Sequence, residues 1–324
     1  MDMPPTLPAP RLHVRTATWT PGAAPCAVAV GNFDGVHVGH AAIVARLVSE
    51  ARARGLPAVA LTFDPHPAAV LRPDRVPAPL TTIERRAALL LDLGVDAVVV
   101  QPADRVLMGL APDAFYRGFL RERLRAEAFV EGSDFRFGAD RAGDVTLLGR
   151  LAAADGLSCG VVPPVLAGGA PVSSSRLRGL VAAGDVAAAR LLLTADYRVS
   201  GTVVVGARRG AGLGFPTANL ADIATLVPAG GVYAARVTVP GASQPVPAAV
   251  HVGPNVTFGE HRVSVEVHLI GFSGSLYGAR LDVDFLDRLR DTRRFPSPDE
   301  LVTQLSADVA AAERVIAAAS VPST

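Results

Sequence analysis

Apolar residues follow two different rhythms along this chain, and the change between them divides it. In the first half, short unbroken apolar runs alternate with longer stretches at helical spacing. Ala27–Val30 reads as a buried strand. From Ala41 to Arg54, residues Ile43, Val44, Leu47, Val48 and Ala51 recur on one helix face, and Gly55 supplies a stop. Ala58–Thr62 is a second strand. Thr81–Leu93 reads as a helix, with capping-box spacing from Thr81 to Glu84 and Gly94 closing it. Ala97–Val100, Ala128–Val130 and Gly160–Val162 read as strands, and Pro112–Arg125 as another helix. Strand–helix alternation predicts parallel pairing with helices on both faces, an open α/β sheet.

After a helix pair over Leu177–Leu193 the pattern becomes strand and turn. Arg198–Val205, Val232–Val239, Val246–Val252, Val263–Leu269 and Leu281–Phe285 are separated by Gly, Pro and Asn. In the fourth of these, Ser264, Glu266 and His268 alternate with apolar residues and share one face. Such spacing predicts a small antiparallel β-barrel. Ser297-Pro298-Asp299-Glu300 then opens a C-terminal helix. The expected domains are residues 1–193 and 194–324.

Composition changes this picture in one respect above all. The 31 basic residues are all Arg, so chemistry that needs an ε-amine is excluded: a Schiff base, an adenylyl-lysine, a Walker phosphate loop or a protein kinase's ion-paired Lys. A net charge of +1 argues against nucleic acid or anionic lipid held by bulk charge. Cys26 and Cys159 make no metal or redox spacing. The start, MDMPPTLPAPRLHV, has no charged-then-apolar leader pattern, and every long apolar run is interrupted. A cytoplasmic protein without membrane or nucleic-acid partners, a monomer or weak homo-oligomer acting on small molecules, is expected.

Candidate chemistry gathers in the turns. Gly31-Asn32-Phe33-Asp34-Gly35-Val36-His37-Val38-Gly39-His40 joins the first strand to the first helix, where open α/β sheets bind ligands. Gly31, Gly35 and Gly39 would let backbone approach a triphosphate, with Phe33 and Asp34 in the same turn. His37 and His40 could donate to phosphate oxygens as charge builds at phosphorus. A surface turn, or a metal pair lacking a third ligand, is the competing reading. Thr62-Phe63-Asp64-Pro65-His66-Pro67 also follows a strand. Asp134, Phe135 and Phe137 mix charge with aromatic rings, as a flat heterocycle requires, or else anchor a hairpin to the core. In Ser173-Ser174-Ser175-Arg176-Leu177-Arg178 one serine would cap a helix, leaving hydroxyls such as Ser174 and Ser175 for phosphate, while Arg178 supplies a bidentate charge. A plain cap with surface arginines competes.

The stretch GARRGAGLGFPTANL, Gly206 to Leu220, is too rich in Gly for ordinary helix or strand. Gly210 and Gly214 would let it fold over phosphates, and Thr217 and Asn219 suit a hard cation such as Mg²⁺; a long hairpin loop is the alternative. A carboxylate at Glu266 on the inward face of a barrel needs a task or a partner, and beside a ligand hydroxyl it would be a general base; otherwise that face is simply solvated.

The segments GNFDGVHVGH, TFDPHP, DFRFG and VSSSRLR, in this order over residues 25–190, resemble the adenylyltransferase half of bifunctional riboflavin kinase/FAD synthetases. LGFPTANL, GGVYAA, VEVHL, LYG and LRDTRRFPSPDEL, over about 195–315, resemble the riboflavin kinase half. The resemblance implies a nucleotidyltransferase-like Rossmann sheet followed by a kinase barrel, with ATP, Mg²⁺, riboflavin, FMN and FAD as ligands. It implies that Thr217 and Asn219 hold MgATP while Glu266 activates the riboflavin 5′-hydroxyl. It further implies that FMN then attacks the α-phosphorus of a second ATP held by His37, His40, Ser174, Ser175 and Arg178. The family usually has Asp at the position of Gly271, Asn at His251, Glu near Thr292 and Lys at Ala139. These departures leave two rivals: an adenylyltransferase with an impaired kinase half, and a non-catalytic flavin-binding or regulatory protein.

Overall fold

The first strands form where the sequence is an unbroken apolar run, because a parallel strand is covered on both faces and has no solvent side to mark with polar residues. In the computed structural model, which describes residues 12–15, 25–206, 209–254 and 264–319, β1 is Leu12–Arg15, β2 Cys26–Val30, β3 Ala58–Phe63, β4 Ala97–Gln101, β5 Ala126–Gly132 and β8 Ser158–Val162. They make one sheet in the order β1-β4-β3-β2-β5-β8, every neighbouring pair parallel. Strands β6 (Arg136–Phe137) and β7 (Gly143–Asp144) form a short hairpin after β5, and β9 (Leu166–Ala167) pairs with β10 (Ala170–Pro171). β1 lies in a Pro-rich stretch whose pattern predicted no strand.

The chain runs from β2 through β3 to β4 on one side, then returns to β5 on the other side of β2. The carboxyl ends of β2 and β5 therefore flank the switch point, where a crevice opens. Helix α1 (Val38–Ala53) starts three residues before the predicted position and packs on β2 and β5 through Val44, Leu47 and Ala51. The next helices are α2 (Pro67–Leu71), α3 (Ile83–Asp92), which buries Ala87 and Leu90, and α4 (Arg105–Met108), and α6 (Val145–Ala154) precedes β8. On the opposite face Val28, Leu61, Val99 and Phe129 form a core with Phe115, Tyr116, Phe119 and Leu120.

The last four residues correct the expected α-helix over 112–125. After a short turn, α5 (Pro112–Ala114), Phe115–Arg123 is a π-helix, and the Leu124 N–H reaches the Phe119 carbonyl at 3.1 Å. The wider turn lets two four-residue pairs of bulky side chains face the sheet together, with Phe115 and Phe119 stacked at 5.3 Å.

Contacts divide the chain into two compact units, Met1–Pro77 with Ile83–Ser173, and Ala78–Thr82 with Ser174–Thr324. The second unit begins with α7 (Ser174–Ala183) and α8 (Val186–Leu192). Gly184 between them has φ +81°, and a Cβ there would stand 2.6 Å from the Tyr233 hydroxyl. The barrel consists of β11 (Tyr197–Val204), β12 (Ala218–Ala221), β13 (Gly231–Thr238), β14 (Val246–Gly253), β15 (Ser264–Leu269) and β16 (Arg280–Arg290). It closes in the order β11-β12-β15-β14-β13-β16, all pairs antiparallel. Within the glycine-rich stretch, helix α9 (Arg209–Gly212) and strand β12 stand where only loop was expected. Helix α10 (Pro298–Ala319) covers β13, β14 and β16, and Ser297 Oγ accepts from the Glu300 N–H at 3.3 Å, as its sequence predicted.

One expectation is reversed. The interior is filled by Val199, Val250, Val267 and Val283, all fully buried, so a six-stranded barrel has no room for a carboxylate inside. Val265, Val267 and Leu269 point inward, and Ser264, Glu266 and His268 lie half-buried on the outer face of β15.

Candidate active sites

At the switch point, the turn after β2 is built by close approaches that only small residues permit. Phe33 and Val36 hold φ of +48° and +41°, and Gly35 between them +86°. A Cβ on Gly31 would meet the Phe33 ring at 3.2 Å, and one on Gly39 would meet the His37 ring at 3.0 Å. Phe33 is buried with its ring edge-on to His40 at 5.2 Å.

His37 and His40 lock each other at the start of α1. His37 Nδ1 accepts from the His40 N–H and His40 Nδ1 from the His37 N–H, both at 3.3 Å, and the rings stack at 3.6 Å. Burial pulls His37 down to about 4, while Asp134 and Asp34 pull the other way. Burial, His37 and Arg86 drive His40 well below the usual imidazole range. Both rings are therefore neutral at pH 7. Because each Nδ1 accepts, each proton sits on Nε2. The pair presents two neutral N–H donors.

Asp34 does not face outward. Its carboxylate accepts from Arg86 Nη2 at 3.1 Å, both side chains being buried. Arg86 also donates from Nη1 to Thr62 Oγ1 at 3.3 Å, and Thr62 donates to the Asn32 carbonyl at 2.9 Å. The Asn32 amide lies 3.1 Å from His66 Nε2, and His66 Nδ1 accepts from the Ala68 N–H at 3.0 Å, which ties the TFDPHP loop to the turn. Sequence reading missed Arg86; its signal was a guanidinium in line with Ile83, Ala87 and Leu90 on the apolar stripe of α3.

Across the crevice, Asp134 is exposed and close enough to His37 to act on its charge. Phe135 is half-buried and stacks on Phe137 at 5.6 Å, while Phe137 is buried in the core. Ala139 donates its N–H to the Leu110 carbonyl at 2.7 Å. Where β2 and β5 part, Glu131 Oε1 accepts from the Val30 N–H at 2.8 Å. Glu131 is buried, and desolvation raises its pKa well above the carboxylate range. It too was missed. Ser174, Ser175 and Arg178 lie in α7 of the second unit, where Arg178 Nε donates to the Ala78 carbonyl at 2.8 Å.

On the barrel wall, antiparallel register sets Glu266 opposite Asn219 of β12 on one side and His251 of β14 on the other. Directly paired residues share a face, so these side chains form one outer polar strip. Ser264 Oγ donates to Glu266 Oε1 at 3.1 Å. A Cβ on Gly206 would stand 2.2 Å from the Asn219 amide, and one on Gly210 2.3 Å from the Phe215 carbonyl, so the glycine-rich segment closes tightly here. His268 Nδ1 donates to the Pro216 carbonyl at 2.8 Å, next to Thr217. Gly214 is exposed with φ +88°. Thr292 borders Gly253, and Gly271 sits in an exposed turn at φ +72°.

A parallel sheet with a donor pair at its switch point, and a separate closed barrel with a carboxylate strip, define a two-domain enzyme of small-molecule chemistry. The comparisons narrow that class. The FAD synthetase family model matches residues 20–176 and the riboflavin kinase model residues 193–316. A bifunctional riboflavin kinase/FMN adenylyltransferase of Pseudomonas fluorescens is 38% identical over 295 residues, covering 91% of this chain and 94% of that relative. The Escherichia coli K12 protein of the same description is 36% identical over 283 residues, covering 87% and 90%. A solved structure described as a macrolide-efflux protein from Streptococcus pneumoniae superposes with TM-score 0.83 at 30% identity, covering 93% of this chain and 98% of that one. Among the described residues no helix is long and apolar enough to cross a membrane. The chain belongs to the bifunctional riboflavin kinase/FMN adenylyltransferase family.

Proposed function

We infer that the protein phosphorylates riboflavin to FMN with ATP and then adenylylates FMN to FAD, releasing pyrophosphate. Family membership over both halves supports the pair of activities. The observation that carries the chemistry is the His37–His40 pair, two neutral Nε2–H donors fixed at the switch point.

We assign adenylyl transfer to residues 1–193. FMN phosphate attacks the α-phosphorus of ATP and pyrophosphate leaves. His37 and His40 donate to the triphosphate as charge develops, with the turn's backbone N–H groups and the start of α1 adding positive potential. Phe33 and Asp34 serve by holding the turn, their side chains being buried. Ser174, Ser175 and Arg178 are the further phosphate ligands. Asp134 and Phe135 frame the flavin, while Phe137, buried in the core, anchors their hairpin.

Phosphoryl transfer is assigned to residues 194–324. Glu266 takes the proton of the riboflavin 5′-hydroxyl as that oxygen attacks the γ-phosphorus. Gly210 and Gly214 let the loop wrap the phosphates. The hydroxyl of Thr217 and the amide of Asn219 are hard oxygen donors of the kind Mg²⁺ takes when substrate phosphates complete its shell, and a bound Mg²⁺ would neutralise phosphate charge. We take the protein to be a cytoplasmic monomer or weak oligomer that works on small molecules, in keeping with its balanced charge.

Incubation of the whole chain with riboflavin, ATP and Mg²⁺, followed by separation of flavins, tests this reading. FMN and then FAD are expected. FAD from supplied FMN but none from riboflavin contradicts the two-step claim.

A further inference from the structure

Glu131 has no part in the chemistry assigned above, yet it stands where the crevice opens. Strand β2 keeps its partner β3 to its end, with Val30 opposite Leu61 and the Gly31 N–H on the Leu61 carbonyl at 3.0 Å. Strand β5 likewise keeps β8 as far as Gly132. Between β2 and β5 the register stops at Val28 and Phe129, two residues short of Val30 and Glu131. Past that point the Val30 N–H is accepted by a side chain, Glu131 Oε1 at 2.8 Å, where a backbone carbonyl would serve in a continuing ladder. Glu131 is 2% exposed and lies two residues from Phe129, on the face that meets the apolar core. A carboxyl there is costly unless it satisfies a polar group left without a partner, and burial favours its uncharged form.

Each end of this hydrogen bond leads into one bank of the crevice. Val30 is followed by the turn that carries His37 and His40. Glu131 is followed by Gly132, whose carbonyl accepts from the Phe135 N–H at 3.0 Å and whose missing Cβ would stand 3.0 Å from Asp134 Oδ1. Asp134 in turn acts on the charge of His37. We propose that Glu131 is a positioning residue for adenylyl transfer, a strut that fixes how far the histidine turn stands from the Asp134–Phe135 turn. This rests on the adenylyl-transfer reading above. Glu131 touches no reacting atom and acts through Val30 and Gly132. Its length matters as much as its acceptor: Gln has both, Asp is one methylene short, and Val has neither. With the banks misplaced, the Nε2–H donors no longer meet the charge that builds as pyrophosphate leaves, so turnover falls while nucleotide affinity does not.

The test measures kcat and KM for ATP in FMN adenylylation by the full chain at pH 7 with Mg²⁺, for wild type, Glu131→Gln, Glu131→Asp and Glu131→Val. Far-UV circular dichroism and urea titration report how much of each variant is folded, and kcat is expressed per folded chain. Glu131→Gln should keep the wild-type kcat. Glu131→Val and Glu131→Asp should lose about 10²-fold in kcat with KM for ATP unchanged. A purely structural residue would instead lower the urea midpoint of Glu131→Val and leave its kcat per folded chain at the wild-type value, and that result overturns the strut. A loss in Glu131→Gln as large as in Glu131→Val also overturns it, because the acid proton and not the acceptor would then be what matters. If Glu131→Val does not fold, Glu131→Asp decides alone, with wild-type kcat the contradicting outcome. A wild type that makes no FAD from FMN overturns the adenylyl-transfer reading and the strut with it.

Discussion

Reciprocal hydrogen bonds and burial leave His37 and His40 as neutral donors, so their contribution does not depend on imidazolium charge. Replacing His37 by Asn keeps a side chain able to cap α1 but removes the Nε2–H. FAD formation from FMN should fall about 10²-fold, in line with loss of one preorganised donor, while FMN formation from riboflavin stays unchanged. Both are read by separating flavin products. Folding stability carries two opposite pH signatures in this unit. His37, held at about 4 against an ordinary 6.5, contributes stability that is present above pH 6.5 and lost as pH falls toward 4. Glu131 is raised well above its ordinary 4.5, so its contribution is complete below pH 4.5 and is lost as pH rises toward its folded value. Urea midpoints of Glu131→Gln should therefore exceed wild type at pH 8 and match it near pH 4. Equal midpoints at pH 8 would mean that Glu131 is not held neutral.

Helix α3 matters to the first unit because it delivers Arg86 beneath the turn that follows β2. Arg86→Met strips Asp34 of its buried partner and should destabilise the fold by about 3–5 kcal/mol in urea titration. Adding Asp34→Asn to Arg86→Met should recover much of that loss, because no buried charge is then left unpaired. At this scale the sequence was legible wherever one rhythm ran long enough. Apolar runs predicted β2 to β5 and β8, and period-two spacing predicted β15. Shorter or more contextual features were not legible. β12 is four residues inside a glycine-rich stretch, and only pairing with β11 and β15 makes it a strand. The π-winding of Phe115–Arg123 answers the shape of the sheet it covers. Alternation also cannot say which face is inward, and the crowded barrel interior decided that for Glu266. Motif residues around His37 and Glu266 could be read from spacing, whereas Arg86 and Glu131 act through folded neighbours more than thirty residues away in sequence.

For the whole molecule, the proposed function requires two chemically independent sites on one chain, each with its own device for phosphate chemistry without lysine. Loss of one site should leave the other working, because the histidine pair lies in the first compact unit and the carboxylate strip in the second. The most direct measurement is a product assay on two single variants, Glu266→Gln and His37→Asn, each supplied with ATP and Mg²⁺ and either riboflavin or FMN. Glu266→Gln should lose FMN formation from riboflavin by about 10²–10⁴-fold while still converting supplied FMN to FAD. His37→Asn should accumulate FMN from riboflavin with little FAD. Full riboflavin phosphorylation by Glu266→Gln, or loss of both conversions from either folded variant, would contradict the claim.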